Sequence, residues 1–323
     1  MAYPTISAPY GLKPVNLQGG RVFSGSTRMI PIPMGASNSF YNGDVVGIAN
    51  GALTTLSANY VAGGTWSSSA GGALGVFVGA EYTNSSNTGV PIGPIYGKNR
   101  YQFWAGGTNA NDAVGYVVDD PLAYFRVAVL AQPQAGVSNT AATTIGYMSE
   151  SFVGSNAYIV SASVAGSAAT GDSGFGVSGA NPSVSSSIAG NNKLTGSAAL
   201  RVVQLVPDTA VTAVGTVNTA VTSATASTVV LNSVTGIYPG MQIWFPNYSL
   251  PGTRQGDYSY VTGVVTSTNT VTFTAPAGLG AGSTIVANAT NITVGSTVAF
   301  VGYPEVIVGW TAGTHTYNVT GGV

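Results

Sequence analysis

The chain has 323 residues, of which nine are Lys or Arg, ten Asp or Glu, one His and none Cys. Charged residues make up 6%, against about 25% in ordinary globular domains. A disulfide scaffold is excluded, and the acids, bases and metal ligands that most enzymes cluster are scarce. That points away from an enzyme, with no cofactor and no metal site expected, and toward a structural protein that works through its surfaces.

Hydrophobic residues reach 45% and the formal net charge is −1. Such a chain can bury real cores, so disorder is not its default. It carries no basic patch to attract nucleic acid, so no nucleic-acid partner is expected. It contains no apolar run of 18 residues, so no membrane span is expected. The start, Met1-Ala2-Tyr3-Pro4-Thr5, lacks the charged and apolar parts of a secretory leader, and no signal peptide is expected. Near-zero net charge favours association with other subunits.

Along the chain, short runs of Val, Ile, Tyr, Phe and Thr are broken every 8–15 residues by Gly, Asn, Ser or Pro. Helical periodicity is absent, and the pattern predicts an all-β protein. Five prolines fall in residues 1–40. Residues 1–20 read as an extended N-terminal arm laid across a neighbour, because Pro lacks a ladder donor and holds its predecessor extended. Strands are then predicted at Arg28–Ile32, Asp44–Ile48, Leu74–Tyr82, Tyr101–Trp104, Val114–Val118, Ala123–Leu130, Ala157–Val160 and Leu200–Val206. Residues 161–198, rich in Ser, Gly and Ala, read as a long loop region with at most one weak strand.

After Pro207-Asp208 the composition shifts. Residues 209–302 carry only Arg254 and Asp257 as charges and are dense in Thr and Val. Here Ser227-Thr228-Val229-Val230-Leu231 through Ile243 is echoed 42 residues later by Asn269-Thr270-Val271-Thr272-Phe273 through Ile285. Each copy reads as strand, Gly-bounded turn, strand. Two copies are too few for a solenoid and suit a small β-sandwich or barrel. The segment from Tyr303 to Tyr317 reads as one or two further strands of the first region. The expected organisation is an arm (1–20), a β-barrel or sandwich core (21–208 plus 303–323) and an inserted small β domain (209–302), placed where hairpin tips tolerate insertion.

The candidate chemistry is thin. His315, the lone conventional base, sits in a hairpin-like context with no nucleophile beside it. Asp119-Asp120-Pro121 reads as a turn rather than a cation site. Gly171-Asp172-Ser173-Gly174 looks like a serine-protease segment only superficially. Tyr96, Tyr101, Phe103 and Trp104, which flank Lys98 and Arg100, read as core and interface aromatics rather than a stacking platform.

The opening Tyr10-Gly11-Leu12-Lys13-Pro14-Val15-Asn16-Leu17, then Gly19-Gly20 and Gly25-Ser26-Thr27-Arg28-Met29-Ile30-Pro31-Ile32, resembles a family of virion proteins of tailed bacteriophages, especially marine ones. So do Gly43-Asp44-Val45-Val46, Leu74-Gly75-Val76-Phe77, Val118-Asp119-Asp120-Pro121 with Phe125-Arg126-Val127, and Gly171-Asp172-Ser173-Gly174. Leu200-Arg201-Val202-Val203 and Val306-Ile307-Val308 with His315 and Tyr317 complete the series. These proteins are similar to capsid decoration, or cement, proteins. The resemblance covers roughly 1–208 and 303–317, and its short motifs persuade by their order. It implies a homotrimer on the outer surface of a capsid, bridging subunits of the major capsid protein and made in the host cytoplasm. Tyr3, Pro4, Tyr10, Leu12, Arg21, Arg28 and Arg126 are the candidate capsid or inter-subunit contacts. The Thr/Val-rich 209–302 departs from the family. A glycan-binding, adhesin-like module is the alternative, with Trp244, Tyr248, Tyr258 and Tyr260 as its platform, and a tail or baseplate component is a third reading.

Overall fold

A computed structural model describes residue 6 and residues 8–55, 73–83, 99–108, 110–131, 145–157, 159–178, 200–221, 227–245, 260–273 and 292–311. These residues are all-β, with two short 3-10 turns, Glu150–Phe152 and Pro207–Thr209. In chain order the first strands are β1 (Lys13–Leu17), β2 (Arg21–Val22), β3 (Arg28–Pro31), β4 (Phe40–Tyr41), β5 (Val45–Ala49) and β6 (Ala52–Thr55). Next come β7 (Gly75–Tyr82), β8 (Asn99–Tyr101), β9 (Phe103–Trp104), β10 (Val114–Val118) and β11 (Ala123–Leu130). Then follow β12 (Asn156–Ala157), β13 (Ile159–Gly166), β14 (Ser173–Ser178) and β15 (Leu200–Leu205). The Thr/Val-rich stretch holds β16 (Val211–Thr219), β17 (Thr228–Leu231), β18 (Gln242–Trp244), β19 (Val261–Val265), β20 (Thr270–Phe273) and β21 (Thr297–Gly302). The last described strand is β22 (Glu305–Trp310).

The first sheet runs β12-β15-β22-β11-β1-β2, with β14 parallel to β11 and paired to β13. The second runs β3-β10-β7-β5-β6, with β8 on β7. Their facing sides share one core, in which Val45, Val76 and Val118 of the second sheet join Phe125, Val127, Val202, Val306 and Val308 of the first. The far side of the second sheet has a core of its own, around Ile30, Phe40, Leu53, Phe77, Trp104 and Val117. The second sheet is therefore buried on both faces. This explains why Gly75-Val76-Phe77-Val78 and Tyr116-Val117-Val118 are continuous apolar runs rather than alternating ones.

Two sequence readings are corrected here. The N-terminal segment is not a free arm beyond residue 10: β1 pairs antiparallel with β11, Lys13 opposite Arg126 and Leu17 opposite Ala123. Pro14 is accommodated at a register shift between Pro14 and Asn16, where a ladder donor is dispensable. The Ser/Gly/Ala-rich stretch after 160 also holds β13 and β14, and Gly176 on β14 lies close under Leu130, where a β-carbon would stand 2.6 Å from Leu130 Cγ.

The chain leaves the first sheet at Leu205 and returns to it opposite, at Val306. Between them β16 and β21 zip antiparallel from Val211–Gly302 to Thr216–Thr297, inside a third sheet ordered β18-β21-β16-β17-β20-β19. That sheet has a separate core of Val217, Leu231, Ile243, Val271, Phe273 and Phe300 among others. The echoed strands β17 and β20 are neighbours, with Val229 opposite Val271. The return strand of the second copy, near Ile285, lies outside the described residues.

The third sheet rests on the first through residues 147–152. Tyr147 stacks on Tyr238 at 5.2 Å between ring centroids, and Phe152 meets Tyr260 edge-on at 5.1 Å. Gly240, at φ +92°, lets its backbone approach the Tyr147 carbonyl, where a β-carbon would stand 2.1 Å from the oxygen. Deleting 209–302 and joining Asp208 to Tyr303 through a short Gly/Ser linker is expected to leave a folded, all-β remainder. The β15–β22 ladder and the first core do not pass through the third sheet. Melting followed by circular dichroism checks this, and a chain with no cooperative transition would show that the third sheet is part of the same folding unit.

Candidate functional site

Three segments far apart in sequence meet at one polar junction. Asn42 forms a parallel bridge to Asp172, its N–H donating to Gly171 O at 2.9 Å and its carbonyl accepting from Ser173 N at 3.0 Å. The N-terminal segment joins them: Gly11 N donates to Phe175 O at 3.0 Å and Leu12 N to Gly43 O at 3.0 Å. Gly11 and Gly43 both have positive φ, and a β-carbon on Gly11 would sit 2.7 Å from Gly43 Cα. Lys13 Nζ closes the junction, donating to Asp172 Oδ1 at 2.7 Å, Asn42 Oδ1 at 2.8 Å and Asn42 O at 3.1 Å. Gly171-Asp172-Ser173-Gly174 is thus a structural clasp.

Beneath it lies Asp44, 4% exposed. Its Oδ2 accepts from Tyr41 N at 2.8 Å, and Oδ1 has no hydrogen-bond partner among the described residues. Burial pushes its carboxyl up to about 6, against the smaller opposing pulls of Ser173, Tyr41 and Lys13. Folding thus tightens this group's hold on its proton. The resulting stabilisation is present below the ordinary carboxylate range and is lost as pH rises toward about 6. Asp44→Asn, which cannot ionise, is expected to flatten stability across that window and to raise stability at neutral pH by up to about 3 kcal/mol. Urea midpoints measured through the window check this, and a variant as pH-dependent as wild type would assign the dependence elsewhere.

A second buried ionic group ties the two ends of the core together. Glu305, 3% exposed, accepts from the Tyr10 hydroxyl and from Arg126 Nη2. Burial and then the hydrogen bond to Glu305 raise the Tyr10 pKa, so the phenol stays a donor. The hydrogen bond to Glu305 likewise raises that of Arg126.

The expected capsid contacts therefore divide. Leu12 is fully buried in the first core and so is internal, while Tyr10 and Arg126 are half-buried and engaged by Glu305, Arg126 keeping 37% of its side chain exposed. Arg21 and Arg28 are exposed, Arg28 lying 3.5 Å from Asp119. Tyr3 and Pro4 lie outside the described residues, as do Tyr248, Tyr258 and His315. Tyr260 is buried against Phe152, and Trp244 is half-buried on β18. The described part of the third sheet thus brings no aromatic platform together, and Tyr260 is withdrawn from it. Asp120 closes the anticipated turn, accepting from Leu122 N at 2.8 Å. Trp104 is fully buried, Tyr101 stacks on Tyr82 and Phe103 on Tyr41. Among the described residues no three His, Asp or Glu side chains converge as metal ligands, and no helix is long and apolar enough to cross a membrane.

Comparison with protein families, with characterised proteins and with solved structures returned no match.

Proposed function

We propose that the chain is a non-enzymatic virion protein that binds the outside of a phage capsid and stabilises it by bridging major capsid protein subunits, acting as a homotrimer. The observation that carries this reading is where the family-like motifs fall in the fold. Tyr10-Gly11-Leu12-Lys13, Gly43-Asp44 and Gly171-Asp172-Ser173-Gly174 meet at one junction. Phe125-Arg126-Val127, Leu200-Arg201-Val202-Val203 and Val306-Ile307-Val308 lie in three adjacent strands. Short motifs scattered by chance have no reason to converge. The scarcity of charge and of convergent titratable groups fits work done by surfaces. The trimer rests on the resemblance alone.

The test is copy number. Quantitative mass spectrometry of purified particles is expected to find the protein in hundreds of copies per head. A handful of copies would place it in the tail, and absence from particles would overturn the reading.

A further inference from the structure

At the polar junction one amine stands against two acyl groups. Lys13, on β1 of the first sheet, directs Nζ at Asp172 Oδ1 at 2.7 Å and at Asn42 Oδ1 at 2.8 Å. A carbonyl bond of about 1.23 Å puts the Asn42 amide carbon within about 4 Å of that nitrogen. The amide is held from its other end, where Nδ2 donates to Val78 O at 3.1 Å, and this keeps the carbonyl aimed at Lys13. The Asn42 main chain is fixed as well, bonded to Gly171 O through its N–H and to Ser173 N through its carbonyl.

The floor of the junction is closed to solvent. Gly11, Gly43, Asp44 and Ser173 are all buried, and half-buried Lys13, Asn42 and Asp172 close over them. An ordinary surface ion pair needs none of this, since it joins two mobile side chains for a small gain. Here an amine, an amide and a carboxylate are brought together by backbone pairing of three distant segments. Groups held in this way react with effective molarities of about 10⁵–10⁸ M, which brings slow acyl transfer within the lifetime of a protein.

We propose that Lys13 and Asn42 become joined by an intramolecular amide bond, which the folded chain forms by itself. The Lys13 ammonium gives a proton to Asp172, its ion-pair partner. The freed amine, on its four-carbon stem, swings over the Asn42 carbonyl, and a bond forms between Nζ and Cγ. The bond from Cγ to Nδ2 breaks. Two protons leave Nζ in all, relayed through Asp172 to the departing nitrogen, which goes as ammonium. No oxidant or reductant is needed. Asp172 is the poorer acyl group, because a carboxylate repels an incoming electron pair. The bond staples β1 of the first sheet to the turn before β5 of the second. In a chain without cysteine it provides the cross-link that a disulfide would otherwise give. It is independent of the function proposed above.

The test is the mass of the purified full chain after denaturation. Wild type is expected to be lighter than its sequence, with or without Met1, by one ammonia. A tryptic digest is expected to contain residues 1–21 joined to residues 29–98, with fragment ions placing the link between Lys13 and Asn42. Lys13→Arg keeps the charge but removes the amine, and is expected to show the full sequence mass, as is Asn42→Ala. A wild-type chain that keeps its full mass after days at neutral pH overturns the proposal. So does an ammonia loss that persists in Lys13→Arg, which would place it elsewhere in the chain. Loss of water in place of ammonia also overturns it, moving the bond to Asp172. Because the wild-type mass alone can sink the proposal, a variant that fails to fold does not shelter it.

Discussion

A chain truncated to begin at Gly20 is expected to lose its native fold. The truncation removes β1 and leaves an unpaired edge on β11. It removes Leu12, fully buried in the first core, whose loss as a cavity alone costs about 2–5 kcal/mol. It removes the phenol that donates to buried Glu305 and the lysine that closes the clasp. Together these are comparable with the roughly 5–15 kcal/mol by which domains are stable. Far-ultraviolet circular dichroism and heat capacity scans check this. A truncated chain with a native-like melt would mean that the N-terminal segment is an appendage after all.

The second large effect is expected at Arg126. Arg126→Ala leaves Glu305, almost without exposure, with no cation beside it and only Tyr10 as donor among the described residues. Breaking one side of a fully buried pair costs about 3–5 kcal/mol, chiefly through the stranded charge, and the cost here is expected to fall toward the low end or below it because Arg126 keeps 37% of its side chain exposed. Adding Glu305→Gln to Arg126→Ala is therefore expected to recover a large part of the loss. Denaturant midpoints for the two single variants and the double variant make the comparison. If the double variant is no more stable than Arg126→Ala, the arginine contributes through its packing and not through the charge.

These two effects fall where the sequence was least legible. Tyr10 and Glu305 are 295 positions apart and Arg126 and Glu305 are 179 apart. Nothing local marks Arg126 as the partner of Glu305 rather than of another subunit's carboxylate. Prolines pointed to an arm, but Pro14 needs no donor where the ladder shifts register. Strands such as β7 and β11 were legible because burial of their side chains writes dense apolar runs into the chain. Strands β13 and β14 were not: Ser, Ala and Gly carry little strand preference, and β14 pairs with β11 where Gly176 leaves room beneath Leu130. Similarly β16, with Val only at every third position among Thr, Ala, Gly and Asn, reads weakly by itself and is fixed by β21. The match of Tyr124 with Gly309 was invisible for a related reason: the two face each other only through register, and the tyrosine ring covers the glycine there.

The pairing of β17 with β20 has an evolutionary meaning. Val229 lies opposite Val271, Thr228 opposite Thr272 and Val230 opposite Thr270. An offset of 42 makes Val271 the repeat mate of Val229, Thr270 that of Thr228 and Thr272 that of Val230. A local two-fold axis therefore passes between a residue and its own copy, as it does at the centre of an isologous dimer. The β17–β20 pair is arranged there as two copies are across such an axis. On that axis both copies keep valine, because there each side chain must fit its own likeness.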